Sequence, residues 1–78
     1  MEHKFFFIKF LKKLGLKIKQ QREYNHYSIQ ELSKITKIRT EYLKKIENGT
    51  AYGILIEKHL IKIAKALKIK VSELLDFK

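Results

Sequence analysis

Cysteine is absent from the 78-residue chain, and so is proline. Without cysteine there is no disulfide, no thiolate metal ligand and no thiol redox chemistry. Without proline, and with glycine only at positions 15, 49 and 53, little interrupts the runs of helix-forming residues. That pattern implies helices joined by short connections. Long apolar stretches are missing too. Phe5–Ile8 is far too short for a signal-peptide core or a bilayer span, and no small-residue cleavage site follows it. No stable membrane insertion is expected, and a cytoplasmic setting is the expectation.

Acidic residues are scarce, eight against eighteen Lys and Arg, for a net charge of +10. Such an excess favours a polyanionic partner. Sixteen of the cations are lysines and there are eleven isoleucines, a bias that an AT-rich genome also produces. The excess is spread along the chain: +5 over residues 1–24, +2 over 25–49 and +3 over 50–78. Charge points to nucleic acid without locating the site. His3, His26 and His59 are scattered, with no i,i+4 pair and no clustered carboxylates. Neither a metal site nor a nucleophile–base pair assembles from that spacing, so no enzyme, metal or cofactor is expected.

The informative stretch is Ser28–Gly49, SIQELSKITKIRTEYLKKIENG. Ser28 is a good N-cap, and Glu31 three residues on completes a capping box. Ile29, Leu32, Ile35 and Ile38 follow at three-residue steps as an apolar set for burial. A second run, Tyr42, Leu43 and Ile46, stops at Asn48-Gly49, a C-terminal signal. Two short helices with a few residues between them can form a helix-turn-helix that sets its second helix in the DNA major groove. Spacing alone leaves an ordinary helical hairpin equally open.

Around this unit, Phe7, Phe10, Leu11, Leu14 and Ile18 predict one amphipathic helix running to about Tyr24, with Gly15 a possible break. Phe5, Phe6 and Ile8 lie off that stripe, available to core packing, self-association or a membrane surface. Leu55, Leu60, Ile63, Ala64 and Leu67 predict a helix from about Ile54 to Lys68. Ser72 then caps a last short helix, with Leu74, Leu75 and Phe77 closing the core. Tyr24, Tyr27, Tyr42 and Tyr52 sit at helix ends and loops, where core-edge packing is favoured over a stacking platform; Tyr42 is the one the second helix could expose. The expectation is one all-α domain of five helices over residues 1–78, with 1–13 extending its first helix.

Several segments resemble the Cro/repressor-type (XRE) helix-turn-helix family. They are R-x(5)-S-x(3)-L from Arg22 to Leu32, Leu43-x-x-Ile46-Glu47-Asn48-Gly49, Leu60-x-x-Ile63-Ala64-Lys65-Ala66-Leu67 and Val71-Ser72-Glu73-Leu74-Leu75. The resemblance implies a five-helix, lambda-repressor-like fold binding double-stranded DNA, usually as a homodimer on a two-fold site, and acting as a transcriptional repressor. It assigns base contacts to Arg39, Thr40, Glu41, Lys44 and Lys45. Phosphate contacts would come from Ile29, Gln30, Lys37 and the Asn48, Gly49, Thr50 turn. Arg22 and Glu47 match the family's buried ion pair. Three positions depart from the pattern: Lys37 where glycine is usual, Arg39 where a small polar cap should open the reading helix, and Ile29 where a phosphate-binding glutamine is expected. T-K-I-R-T-E-Y-L-K-K-I-E-N-G also resembles the N-terminal domain of RodZ-type adaptors, which implies a protein partner such as a filament. A toxin partner, as for an antitoxin-type regulator, is a further alternative.

Overall fold

A computed structural model describes the backbone of residues 2–53 and 56–76, and side chains over 6–53 and 58–76. The chain is all-helical: α1 (Glu2–Tyr24), α2 (Ile29–Thr36), α3 (Thr40–Glu47), a π-helical turn (Ile56–Leu60) leading into α4 (Ile61–Leu67), and α5 (Val71–Leu74). No strand occurs among the described residues, and no helix among them is long and apolar enough to cross a membrane. Leu14, Ile18, Leu32, Leu43, Leu60, Ile63, Leu67 and Leu74 are fully buried in one core. It draws on every α-helix and on the last residue of the π turn.

α1 runs unbroken through Gly15, because that glycine is where α1 and α3 meet backbone to backbone. A Cβ there would lie 2.5 Å from the Glu47 carbonyl oxygen and closer still to that of Ile46. The buried stripe of α1 is Leu11, Leu14 and Ile18, with Phe10 at its edge. Phe7, expected on that stripe, is 43% exposed and rests on the Phe10 ring at 6.5 Å. Phe6 is exposed and Ile8 half-buried, while the Phe5 side chain lies outside the described residues, as do Leu55 and Phe77.

The Ser28 capping box forms in full. Ser28 Oγ accepts from the Glu31 N–H at 3.0 Å, and the Glu31 carboxylate accepts from the Ser28 N–H at 2.8 Å. The expected apolar face of α2 needs one correction. Ile35 is half exposed, and Thr36 takes the buried place beside Leu32. The hydroxyl of Thr36 is satisfied locally, donating to the Leu32 carbonyl and accepting from the Ile38 N–H, so its burial leaves no polar atom stranded.

Helix ends in this glycine-poor chain use left-handed residues of other types. His26, Lys37 and Lys68 have φ near +60°, and Gly49 has φ +75°. After α3 the Gly49 and Thr50 N–H groups donate to the Ile46 and Lys45 carbonyls, a Schellman ending. Two expectations about the C-terminal third are corrected. The single regular helix expected there is a π turn over Ile56–Leu60 followed by α4, and its expected start at Ile54 lies outside the described residues. Ser72 does not cap α5, which starts at Val71 behind Lys70, because Glu73 accepts from the Lys70 N–H and sets the cap two residues earlier.

Candidate nucleic-acid interface

α3 is short and rich in lysine, so its position depends on what anchors it. Leu43 and Ile46 are buried, whereas Glu41, Lys44, Lys45 and Asn48 are exposed at i, i+3, i+4 and i+7. The far end is tied to α1 by a two-pronged ion pair. Arg22 Nε lies 2.7 Å and Arg22 Nη2 3.1 Å from the two Glu47 carboxylate oxygens. Arg22 Nη1 also donates to the Tyr27 carbonyl at 2.8 Å, so one guanidinium joins α1, the α1–α2 loop and α3. Its hydrogen bonds to Glu47 hold the guanidinium pKa above its ordinary value despite burial.

The near end of α3 opens onto a groove of about 460 Å³, lined by Lys37, Ile38, Arg39, Glu41, Tyr42, Lys45, Lys58, His59 and Lys62. Among the described residues, five cations from the α2–α3 turn, α3, the π turn and α4 therefore converge there around one carboxylate. A second groove, of about 440 Å³, runs between α2 and α4 and shares Lys37 and Lys62 with the first, adding Lys65. Together they form a basic strip beside the exposed edge of α3, with the geometry of a track for an anionic backbone.

Of the residues expected to contact bases, Arg39, Glu41 and Lys45 line the groove. Lys44 is exposed outside it, and Thr40 is half-buried in the first turn of α3. Arg39 holds the N-cap position without a side-chain cap bond, so its guanidinium is not spent on the helix end. Lys37 also lines the groove. Ile29 packs against the core and Gln30 is exposed, leaving the first-turn N–H groups of α2 as what Ile29 can offer a phosphate. In the Asn48–Thr50 turn all three N–H groups donate into α3's own carbonyls, those of Lys44, Ile46 and Lys45. Gly49 is buried against Lys12. What this turn presents outward is the Asn48 side chain and the Thr50 hydroxyl, itself 3.3 Å from the Lys45 carbonyl.

Lys58, His59 and Lys62 escape the sequence reading. Their signal is the i,i+4 spacing of the two lysines, but only the π turn aims them at α3. The His59 ring lies 4.9 Å from that of Tyr42. Burial, helped by Lys62 and Lys58, holds the His59 pKa below its ordinary value. Tyr42 is half-buried in this contact and is no free stacking platform. Core-edge packing holds for Tyr27 and Tyr42, but Tyr24 and Tyr52 are largely exposed.

Lys37 sits in this site at a backbone price, with φ +61° where glycine would be unstrained. Lys37→Gly relieves about 1–2 kcal/mol of left-handed strain and loses part of that to unfolded-chain entropy, a net gain of about 0.5–1 kcal/mol. We expect the variant to melt a few degrees higher yet bind duplex DNA more weakly. Lys68→Gly, equally left-handed but outside both grooves, should gain stability with DNA affinity unchanged. Equal DNA affinity in Lys37→Gly and wild type would remove Lys37 from the interface.

A family model for the Cro/C1-type helix-turn-helix (HTH) DNA-binding domain matches residues 17–78. That range takes in the last third of α1, where Ile18 and Arg22 lie, and every residue found lining the groove. A comparison with curated proteins returned no match.

Proposed function

The chain belongs to the Cro/C1-type HTH DNA-binding family, and from that premise we propose that it is a transcriptional repressor whose α3 reads the major groove of an operator as a homodimer. The observation that carries this reading is the basic groove bordering the exposed edge of α3. In this reading Lys45 and Arg39 donate to guanine O6 and N7, and Lys44 to a base or phosphate. Lys37, Lys58 and Lys62 supply the sequence-blind attraction to backbone phosphates. Occlusion of a promoter by the bound dimer then needs no catalytic group, no metal and no cofactor.

Selection from a randomised duplex library at near-physiological salt tests this, run in parallel on wild type and on Lys44→Ala/Lys45→Ala. The expected result is a two-fold symmetric motif that the double variant blurs. The slope of log affinity against log salt should shrink by about one for each lysine that contacts phosphate. Weak binding with no motif, equal in both proteins, would reduce the lysines to a solvated coat and overturn the reading.

A further inference from the structure

Glu41 is the one carboxylate among the described residues that line the basic groove. It is exposed on α3, in a groove it shares with Lys37, Arg39, Lys45, Lys58 and Lys62. Lys45 follows it at i+4, the favourable order for a helical ion pair. Glu41 nevertheless forms no ion pair or hydrogen bond with another described residue. A carboxylate left unpaired amid cations weakens any grip on phosphate, because like charges repel at short range. For sequence-blind binding it is a defect; for discrimination it is an asset, since specificity gains from an element that penalises the wrong partner.

We propose that Glu41 is a specificity-determining residue that accepts a hydrogen bond from the exocyclic amine of cytosine in each half-site. The inference rests on the reading of α3 as the groove-entering helix. A carboxylate has acceptors only, and in the major groove guanine shows N7 and O6 and thymine shows O4, all acceptors. Facing those, Glu41 is left desolvated and repelled. Cytosine N4 shows a donor at the outer edge of its pair, flanked only by the partner guanine's O6, whereas adenine N6 lies between two acceptors, its own N7 and thymine O4. Cytosine is therefore the base that Glu41 best accommodates. Lys45, one turn on, can take the guanine O6/N7 edge of the same or the neighbouring pair. The expected discrimination at that base pair is roughly 5- to 150-fold, the range of a single good base contact.

The variant Glu41→Gln separates the possibilities, because glutamine keeps the shape, loses the charge and prefers the adenine N6/N7 pair. Library selection and titration of a fixed scrambled duplex are run on wild type and Glu41→Gln, each with a thermal melt. The expected result is a motif in which one position per half-site changes from cytosine to adenine or to no preference, the other positions being retained. Affinity for the scrambled duplex should rise several-fold. An unchanged motif at every position overturns the proposal and leaves the repressor reading standing. A lower melting temperature with an unchanged motif assigns Glu41 to the α3 N-terminus as a helix-dipole partner and likewise overturns it. A wild type that selects no motif removes the repressor reading and this proposal together.

Discussion

Glu47→Ala is expected to cost about 3–5 kcal/mol, the usual penalty for removing one partner of a buried ion pair. The side chains of Arg22 and Glu47 are only 13% and 6% exposed, so water does little to screen the pair or to replace the lost carboxylate. Arg22 cannot escape the penalty by losing its proton, since a guanidinium stays charged in proteins. It would keep the Tyr27 carbonyl as acceptor and nothing for Nε and Nη2. Against a total stability of about 5–15 kcal/mol for a domain, that is a large share. At roughly 4–8 °C per kcal/mol, the melting point should fall by at least about 12 °C. DNA affinity should fall with it, although Glu47 touches no base, because α3 loses its tie to α1. Glu47→Gln should fall between, keeping one acceptor. The apolar pair Arg22→Met/Glu47→Leu should recover much of the loss, since it leaves no buried charge unpaired. A Glu47→Ala protein that melts at the wild-type temperature would show that α3 is held by its apolar face alone.

Gly15→Ala should also destabilise, by roughly half as much, and for a reason no propensity scale contains. Alanine favours a helix over glycine by about 1 kcal/mol, so the substitution looks stabilising from the sequence. The added methyl, however, would come within 2.5 Å of the Glu47 carbonyl oxygen and 2.8 Å of its carbon. Both are backbone atoms of α3, so relief requires α1 and α3 to move apart. Overpacking of this kind costs about 1–3 kcal/mol and occasionally more. With three backbone atoms in the way the upper end applies, and the net loss is about 2 kcal/mol, or roughly 8–16 °C in melting temperature. Gly53→Ala is the matched control, because nothing lies within 4 Å of a Cβ there and its φ is not left-handed. Calorimetry on the two variants decides the matter: Gly15→Ala melting at or above wild type would mean the two helices meet less closely than described.

Local chemistry that completes itself within a few residues is legible in the sequence. The Ser28–Glu31 box, the Gly49 ending of α3 and the apolar anchors Leu43 and Ile46 all belong to this class. The Arg22–Glu47 pair spans 25 residues and is legible only through resemblance to a family. What stayed hidden depends on tertiary context. Thr36 reads as polar, but its own turn satisfies the hydroxyl and frees the residue for the core, while Ile35 is turned outward. Gly15 reads as a weakness in α1 because its contact partner is on another helix. Lys58, His59 and Lys62 read only as members of one plain helix, because residue spacing does not register a π turn.

That turn has a consequence for chain length. A π turn holds one residue more than the α-helical turn it replaces. Removing a single residue from Ile56–Leu60 would let the segment relax into ordinary α-helix without disturbing α4 beyond it. The chain on the N-terminal side of the cut would then be turned by about 100° about the axis. Where the cut follows them, Lys58 and His59 would be re-aimed relative to α3 with every residue of α3 intact. Gain or loss of one codon here, with no substitution at all, is therefore a route by which related chains can reset the charge beside the reading helix while keeping what that helix reads.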